Sequence, residues 1–209
     1  MSMKTSNSQP QPAGFALLIS LIVVGVVITV GLSVLDISIT QVRLADNAEQ
    51  SEIAFNAANA GVECAQFWSR TATTSMFTGF GGGNVIVDAS GNSPECFGVS
   101  ASNRNTDALT TGAGEITGIG EAYVVDYEFD WSGGTPRCTK IRTLAINANS
   151  PGDDLTVNNV PSHITEYPST NFTCTGGSRC TILSVRGYNR ACNNIGNFGT
   201  TEREVLLQF

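Results

Sequence analysis

The chain has a single histidine, His163, so any metal centre or nucleophile–base pair built on two imidazoles is excluded. It also lacks a CxxC pair, because Cys64, Cys96, Cys138, Cys174, Cys180 and Cys192 are spread widely. Zinc sites draw on tight cysteine pairs, often with histidine. Disulfides are therefore the expected use of these residues, and they imply an oxidising, extracytoplasmic compartment. Cationic residues are scarce: 11 Lys and Arg stand against 18 Asp and Glu, a net charge of −7. Such a chain gains nothing by displacing counterions from a nucleic acid, so no nucleic-acid partner is expected. Arg179, Arg186 and Arg190 bunch late in the chain and read as solvated surface. The glycine run Gly79–Asn84 (GFGGGN) lacks the Lys-Ser/Thr of a phosphate loop. No acid, base and nucleophile come together by spacing. No catalytic residue, cofactor or metal ligand is assigned, and the chain is read as a non-enzyme.

One further absence is the most informative. After the polar stretch Met1–Ala13, with Lys4 its only charge, no charged residue occurs from Gly14 through Leu35. At 1.5 Å per residue that run makes a helix of about 33 Å, enough to cross a hydrocarbon core of about 30 Å. A secretory signal peptide would have a shorter apolar core and a small-residue cleavage site. Gly31 and Ser33, before Val34, offer only a weak one, and the helical pattern runs straight through Asp36. Gly14-Phe15, at the polar-to-apolar junction, suggests a different cut. Cleavage after Gly14 removes a hydrophilic leader and keeps the whole apolar helix, and glycine lets an extended backbone approach a protease closely.

The helical reading continues to Arg70. Leu35, Ile39, Val42, Ile53, Ala57, Ala60, Cys64, Phe67 and Trp68 fall in one broad stripe at helical spacing, interrupted by Asp46 and Glu49. Leu44, Ala48, Phe55, Ala58 and Val62 lie on roughly the opposite side. Two apolar faces suggest that one covers a sheet and the other meets neighbouring subunits. From Phe15 to Arg70 the rod would be about 84 Å long if continuous, far beyond the usual globular helix of about 11 or 12 residues.

The remainder is rich in Gly, Ser, Thr and Asn, which suits a loop-rich β domain. Strands are expected at Asn84–Asp88, Ala122–Trp131, Thr139–Ala148, Asn171–Cys174, Cys180–Tyr188 and Arg203–Phe209. In the second of these, Tyr123, Val125, Tyr127 and Phe129 alternate with Val124, Asp126, Glu128 and Asp130, which puts the carboxylates on the solvent face as a weak calcium candidate. Six cysteines leave the disulfide connectivity open. The expected set ties Cys64 to Cys96, closes a short loop with Cys174–Cys180, and leaves Cys138 with Cys192. Four regions follow: a leader (1–14), a transmembrane and assembly helix (15–35), an amphipathic continuation (36–70), and a disulfide-containing β-rich head (71–209).

Two stretches, GFALLISLIVVGVVITVGLSVLD from Gly14 and SEIAFNAANAGVECAQFW from Ser51, resemble the type IV pilins and pseudopilins, particularly the PilX-type minor pilus assembly proteins. The resemblance spans Gly14 to Trp68, about a quarter of the chain. It implies an α+β lollipop in which a long N-terminal helix packs its outer half on an antiparallel sheet. It also implies that a prepilin peptidase cuts after Gly14 and N-methylates Phe15. Mature subunits would then leave the inner membrane and assemble through apolar helices, here Phe15, Leu17, Leu18, Ile19 and Leu21, with Phe55 and Val62 higher up. The implied partners are other pilin subunits, the peptidase, the inner-membrane assembly platform and, before assembly, membrane lipid. The fifth mature residue is Ile19 rather than the glutamate usual in major pilins, which points to a minor, priming or tip subunit. The competing reading is a membrane-anchored, adhesin-like binding protein that never polymerises.

Overall fold

The computed structural model describes residues 13–71, 94–131 and 136–209. Most of the leader, the glycine run, the strand expected at Asn84–Asp88 and the turn at Ser132–Thr135 lie outside them. The chain divides into two compact units, Met1–Ala48 and Glu49–Phe209, and the helix α1, Ala13–Thr71, contributes to both.

In the first unit every residue from Phe15 to Ala48 is exposed, including Leu17, Ile22, Val27, Leu32, Ile39 and Leu44. The helix holds together without a tertiary partner because its backbone bonds are internal, and its hydroxyls behave in the same way. Ser20 donates to Leu17 O (2.8 Å), Thr29 to Val26 O (2.9 Å), Ser33 to Thr29 O (3.0 Å), Ser38 to Val34 O (2.9 Å) and Thr40 to Asp36 O (2.9 Å). Each polar side chain between Gly14 and Leu35 thus satisfies itself on its own helix. This segment is long and apolar enough to cross a membrane.

The second unit is built on a five-stranded antiparallel sheet. Its strands are β3 (Ser102–Leu109), β5 (Glu121–Trp131), β6 (Arg137–Asn147), β9 (Arg179–Tyr188) and β10 (Glu202–Gln208), in the order β10-β9-β6-β5-β3. A small hairpin, β1 (Glu95–Cys96) with β2 (Val99–Ser100), precedes it. A three-stranded sheet of β4 (Ile116–Gly118), β7 (Leu155–Val157) and β8 (Phe172–Cys174) is inserted between its strands. The short helix α2, Val160–His163, follows β7. The architecture is α+β, with the Glu49–Thr71 part of α1 packed on the antiparallel sheet.

Period-two alternation gives the large sheet two faces, and both carry a core. Val125, Tyr127, Phe129, Ile141, Leu183 and Val185 face α1, where Ala58, Cys64 and Ala65 meet them. Ala122, Val124, Leu144, Ile146 and Ile182 face the other way and are covered by Ile116, Leu155, Val157, Val160 and Ile164. The reading of Val124 as a solvent-face residue is therefore corrected, because the small sheet covers that half of the face.

Small residues let α1 sit close to its sheet. A Cβ added at Gly187 of β9 would stand 2.1 Å from Ala54 O and 2.3 Å from Ala58 N. One added at Gly61 would stand 2.3 Å from Thr139 Cγ2 and 2.8 Å from Val185 Cγ1. Within that contact the Trp131 indole N–H donates to Thr139 Oγ1 (2.7 Å), and the Thr139 hydroxyl donates to Ala57 O (2.7 Å). Higher on the sheet Asn189 donates to Gln50 Oε1 (2.6 Å), and Arg203 donates from Nε and Nη2 to Ser51 Oγ (2.8 and 2.6 Å). Three disulfides complete the unit: Cys64–Cys96, Cys138–Cys192 and Cys174–Cys180. They match the expected set.

Candidate functional site

The first candidate surface is the apolar length of α1. Gly14 falls in the first turn of the helix rather than in extended backbone. Access to the Gly14–Phe15 bond thus requires that turn to open. The first N–H groups of a helix lack intrahelical partners, so this end is the least costly to unwind. Phe15, Leu17, Leu18, Ile19 and Leu21 follow at 66, 67, 56, 45 and 69% exposure, spread around the rod rather than along one stripe. Removing each such side chain from water stabilises by roughly 1.5–3 kcal/mol. A rod of this composition is stable only where lipid or protein surrounds it.

Higher on α1 the two-face reading needs correction. The sheet-facing seam is Ala54, Ala57, Ala58, Gly61, Cys64 and Ala65, so Ala57 and Ala58, assigned to opposite sides, are both buried. Val62, expected on the assembly face, is half-buried against the head core. The outward strip carries Glu52, Asn56, Asn59 and Glu63, which is polar rather than apolar. Phe55 (49% exposed) and Phe67 (57%) remain at its margins. Hydropathy at helical spacing misassigns this segment because large side chains dominate it, whereas the close packing here belongs to alanine and glycine.

The second candidate is a groove of about 370 Å³ on the half of the large sheet that the small sheet leaves open. In register across it run Asp126, Arg142 and Ser184, then Glu128, Lys140, Arg186 and Glu204. Arg142 holds Asp126 through Nε–Oδ1 (2.6 Å) and Nη2–Oδ2 (3.0 Å), and gives a third bond to His163 O (3.2 Å). Lys140 pairs with Glu128 at 3.6 Å, and Asn103, held at a positive φ in a bulge of β3, also donates to that carboxylate. Arg186 lies 3.5 Å from Glu202 and 3.3 Å from Glu204. Tyr188 borders the groove, where burial and the neighbouring Glu202 push its phenol up to about 12.

These pairings argue against the calcium suggestion for Asp126 and Glu128: both Asp126 oxygens are held by Arg142, and those of Glu128 by Lys140 and the Asn103 amide. Glu128 also lies near the sulfurs of Cys138 and Cys192, but those are bonded to each other and offer no thiolate to a metal. Sequence reasoning missed the groove because its cations come from β6 and β9 while its carboxylates come from β5 and β10. Only the strand register assembles it. It also missed Phe97, 71% exposed at the tip of the β1–β2 hairpin, whose ring lies edge-on to Trp131 at 6.0 Å. The late arginines do not form a shared patch: Arg186 joins the groove, and Arg190 donates to Phe198 O (3.2 Å). No protein-family model, curated protein or solved structure matches this chain.

Proposed function

We propose that this chain is a structural subunit of a type IV pilus or pilus-like filament, of the minor, priming or tip kind, cut after Gly14 and assembled through α1. The observation that carries the reading is the uncovered apolar rod from Phe15 to Leu44, with every hydroxyl bonded back to its own helix. Such a rod can exchange lipid for the rods of other subunits without stranding any of its hydroxyls. The head suits the far side of the membrane, since three disulfides persist in an oxidising compartment. Ile19 cannot supply a carboxylate to a neighbour's terminal ammonium, which favours a minor position over the bulk of a filament.

The test is N-terminal sequencing of the native protein together with its recovery in filaments sheared from cells. The expected outcome is a chain beginning at methylated Phe15 and present in the sheared fraction. A chain that begins at Val34, or that keeps its leader where prepilin peptidase is active, overturns the reading. The open groove on the sheet favours a second reading, an anchored binding protein. In that case the cleaved chain stays with the membrane and never enters the sheared fraction.

A further inference from the structure

The groove on the large sheet has an order of charges that folding alone does not ask for. Along one row, in register across β5, β6, β9 and β10, stand Glu128, Lys140, Arg186 and Glu204. Lys140 and Arg186 are direct cross-strand partners, and like charges directly opposite one another destabilise a sheet. Alternating signs would remove that cost. Instead the two cations take the centre and the two carboxylates the flanks. Arg142, on the same face of β6 as Lys140, adds a third cation about 7 Å along the strand. The carboxylates lie deeper than the cations they pair with. Side-chain exposure is 42, 45 and 32% for Lys140, Arg142 and Arg186, against 11, 26 and 17% for Glu128, Asp126 and Glu204. Of the paired carboxylates only Glu202, out on the edge strand, is as open (44%). A chain of net charge −7 thus turns a cationic surface into this concavity. Nor do the pairs exhaust the donors, since an ammonium carries three and a guanidinium five. Lys140 has Glu128 at 3.6 Å, and Arg142 gives three bonds.

A ligand that completes this site carries a negative group for Lys140 and Arg186 and neutral hydroxyls beside it. The Asp126 carboxylate is fixed by the Arg142 fork, and a carboxylate offers about four lone-pair sites, so it can still accept from a hydroxyl. Thr165 and Asn103 line the same concavity. Its volume of about 370 Å³ is at the small end of the usual range of roughly 300–1,000 Å³ for small-molecule sites. An extended polyanion fits it badly. Glu128 on one side of the cations and Glu202 and Glu204 on the other would face its neighbouring phosphates, and the net charge repels it from afar. We propose that the groove binds a saccharide unit bearing a carboxylate, of the uronic-acid type, with the carboxylate on Lys140 and Arg186 and ring hydroxyls on the Arg142–Asp126 pair. A carboxylate set between the two cations turns their repulsion into two charge-assisted bonds. Every residue of the site belongs to the head, so the assignment holds whether α1 enters a filament or stays in a membrane.

The test titrates the full chain in detergent micelles with glucuronate, glucose, acetate and inorganic phosphate, read by calorimetry and saturation-transfer NMR. Glucuronate should bind with a Kd of about 1 mM or tighter, and each of the others more weakly by about tenfold or more. Lys140→Gln and Arg186→Gln should each weaken glucuronate by about tenfold or more, while Lys140→Arg stays within about threefold of the wild type. Lys140→Gln removes an exposed pair that contributes little to stability, so its unfolding midpoint and its recovery in the sheared fraction should equal those of the wild type. Loss of sugar binding and loss of assembly are thereby separable. Acetate or phosphate binding as tightly as glucuronate would reduce the groove to an anion site and overturn the saccharide assignment. A short single-stranded oligonucleotide that displaces glucuronate at lower concentration would overturn it in favour of nucleic acid. Absence of glucuronate binding up to about 20 mM, or binding that survives both neutral variants, overturns the site itself.

Discussion

The two lengths of α1 solve the same problem in opposite ways. Up to Ala48 the helix carries Leu, Ile, Val and Phe, and leaves them all exposed. From Glu49 it carries Ala and Gly on the side that meets the sheet, and buries them to the point where no Cβ fits at Gly61, or at Gly187 opposite Ala54 and Ala58. Side-chain size thus runs against burial along a single helix. The explanation is distance. A segment that docks once on a fixed sheet gains most from close backbone approach, dispersion and a directed hydrogen bond. A segment that must be comfortable in more than one apolar environment gains from bulk that asks for no particular partner.

That contrast can be broken most forcefully at the glycines. Gly187→Ala should lower head stability by about 3 kcal/mol, because the new Cβ would meet backbone atoms that cannot step aside. Gly25→Ala, where nothing lies within 4 Å, should leave the head unchanged and favour its own helix by about 1 kcal/mol. Denaturant unfolding of the full chain in detergent distinguishes them, since both tryptophans, Trp68 and Trp131, report on the head alone. A smaller effect is expected at Thr139→Val, about 2 kcal/mol, because Ala57 O and the Trp131 N–H both lose their buried partner. An unchanged unfolding midpoint would mean the hydroxyl merely fills space. The smallest effect should come from Phe67→Glu, within about 0.5 kcal/mol for the head, as its ring already faces outward. A large loss there would return Phe67 to the sheet-facing stripe and reopen the two-face assignment.

Much of the fold was legible because it follows from strong local patterns. The end of α1, and the strands β5, β6, β9 and β10, come within one or two residues of their expected bounds. β3 was missed because its residues, SNRNTDAL, are polar and mostly exposed: as an edge strand it has backbone partners on one side only and little apolar surface to alternate. β4 and β7 are three residues each, too short to show a period. The helix face was misassigned where alanine and glycine carry the contact, since neither stands out by hydropathy. The candidate surfaces divide in the same way. The apolar rod is continuous in sequence and could be seen there. The groove exists only once four strands are in register, so no local signal announces it.

Thr139 belongs to β6, the middle of the five strands, and its hydroxyl is bonded to the backbone of α1. Ser51, six residues before Ala57 on the helix, is held by Arg203 of the edge strand β10, so α1 is tied to the sheet at its rim and at its middle, and detaching it means breaking bonds to two different strands.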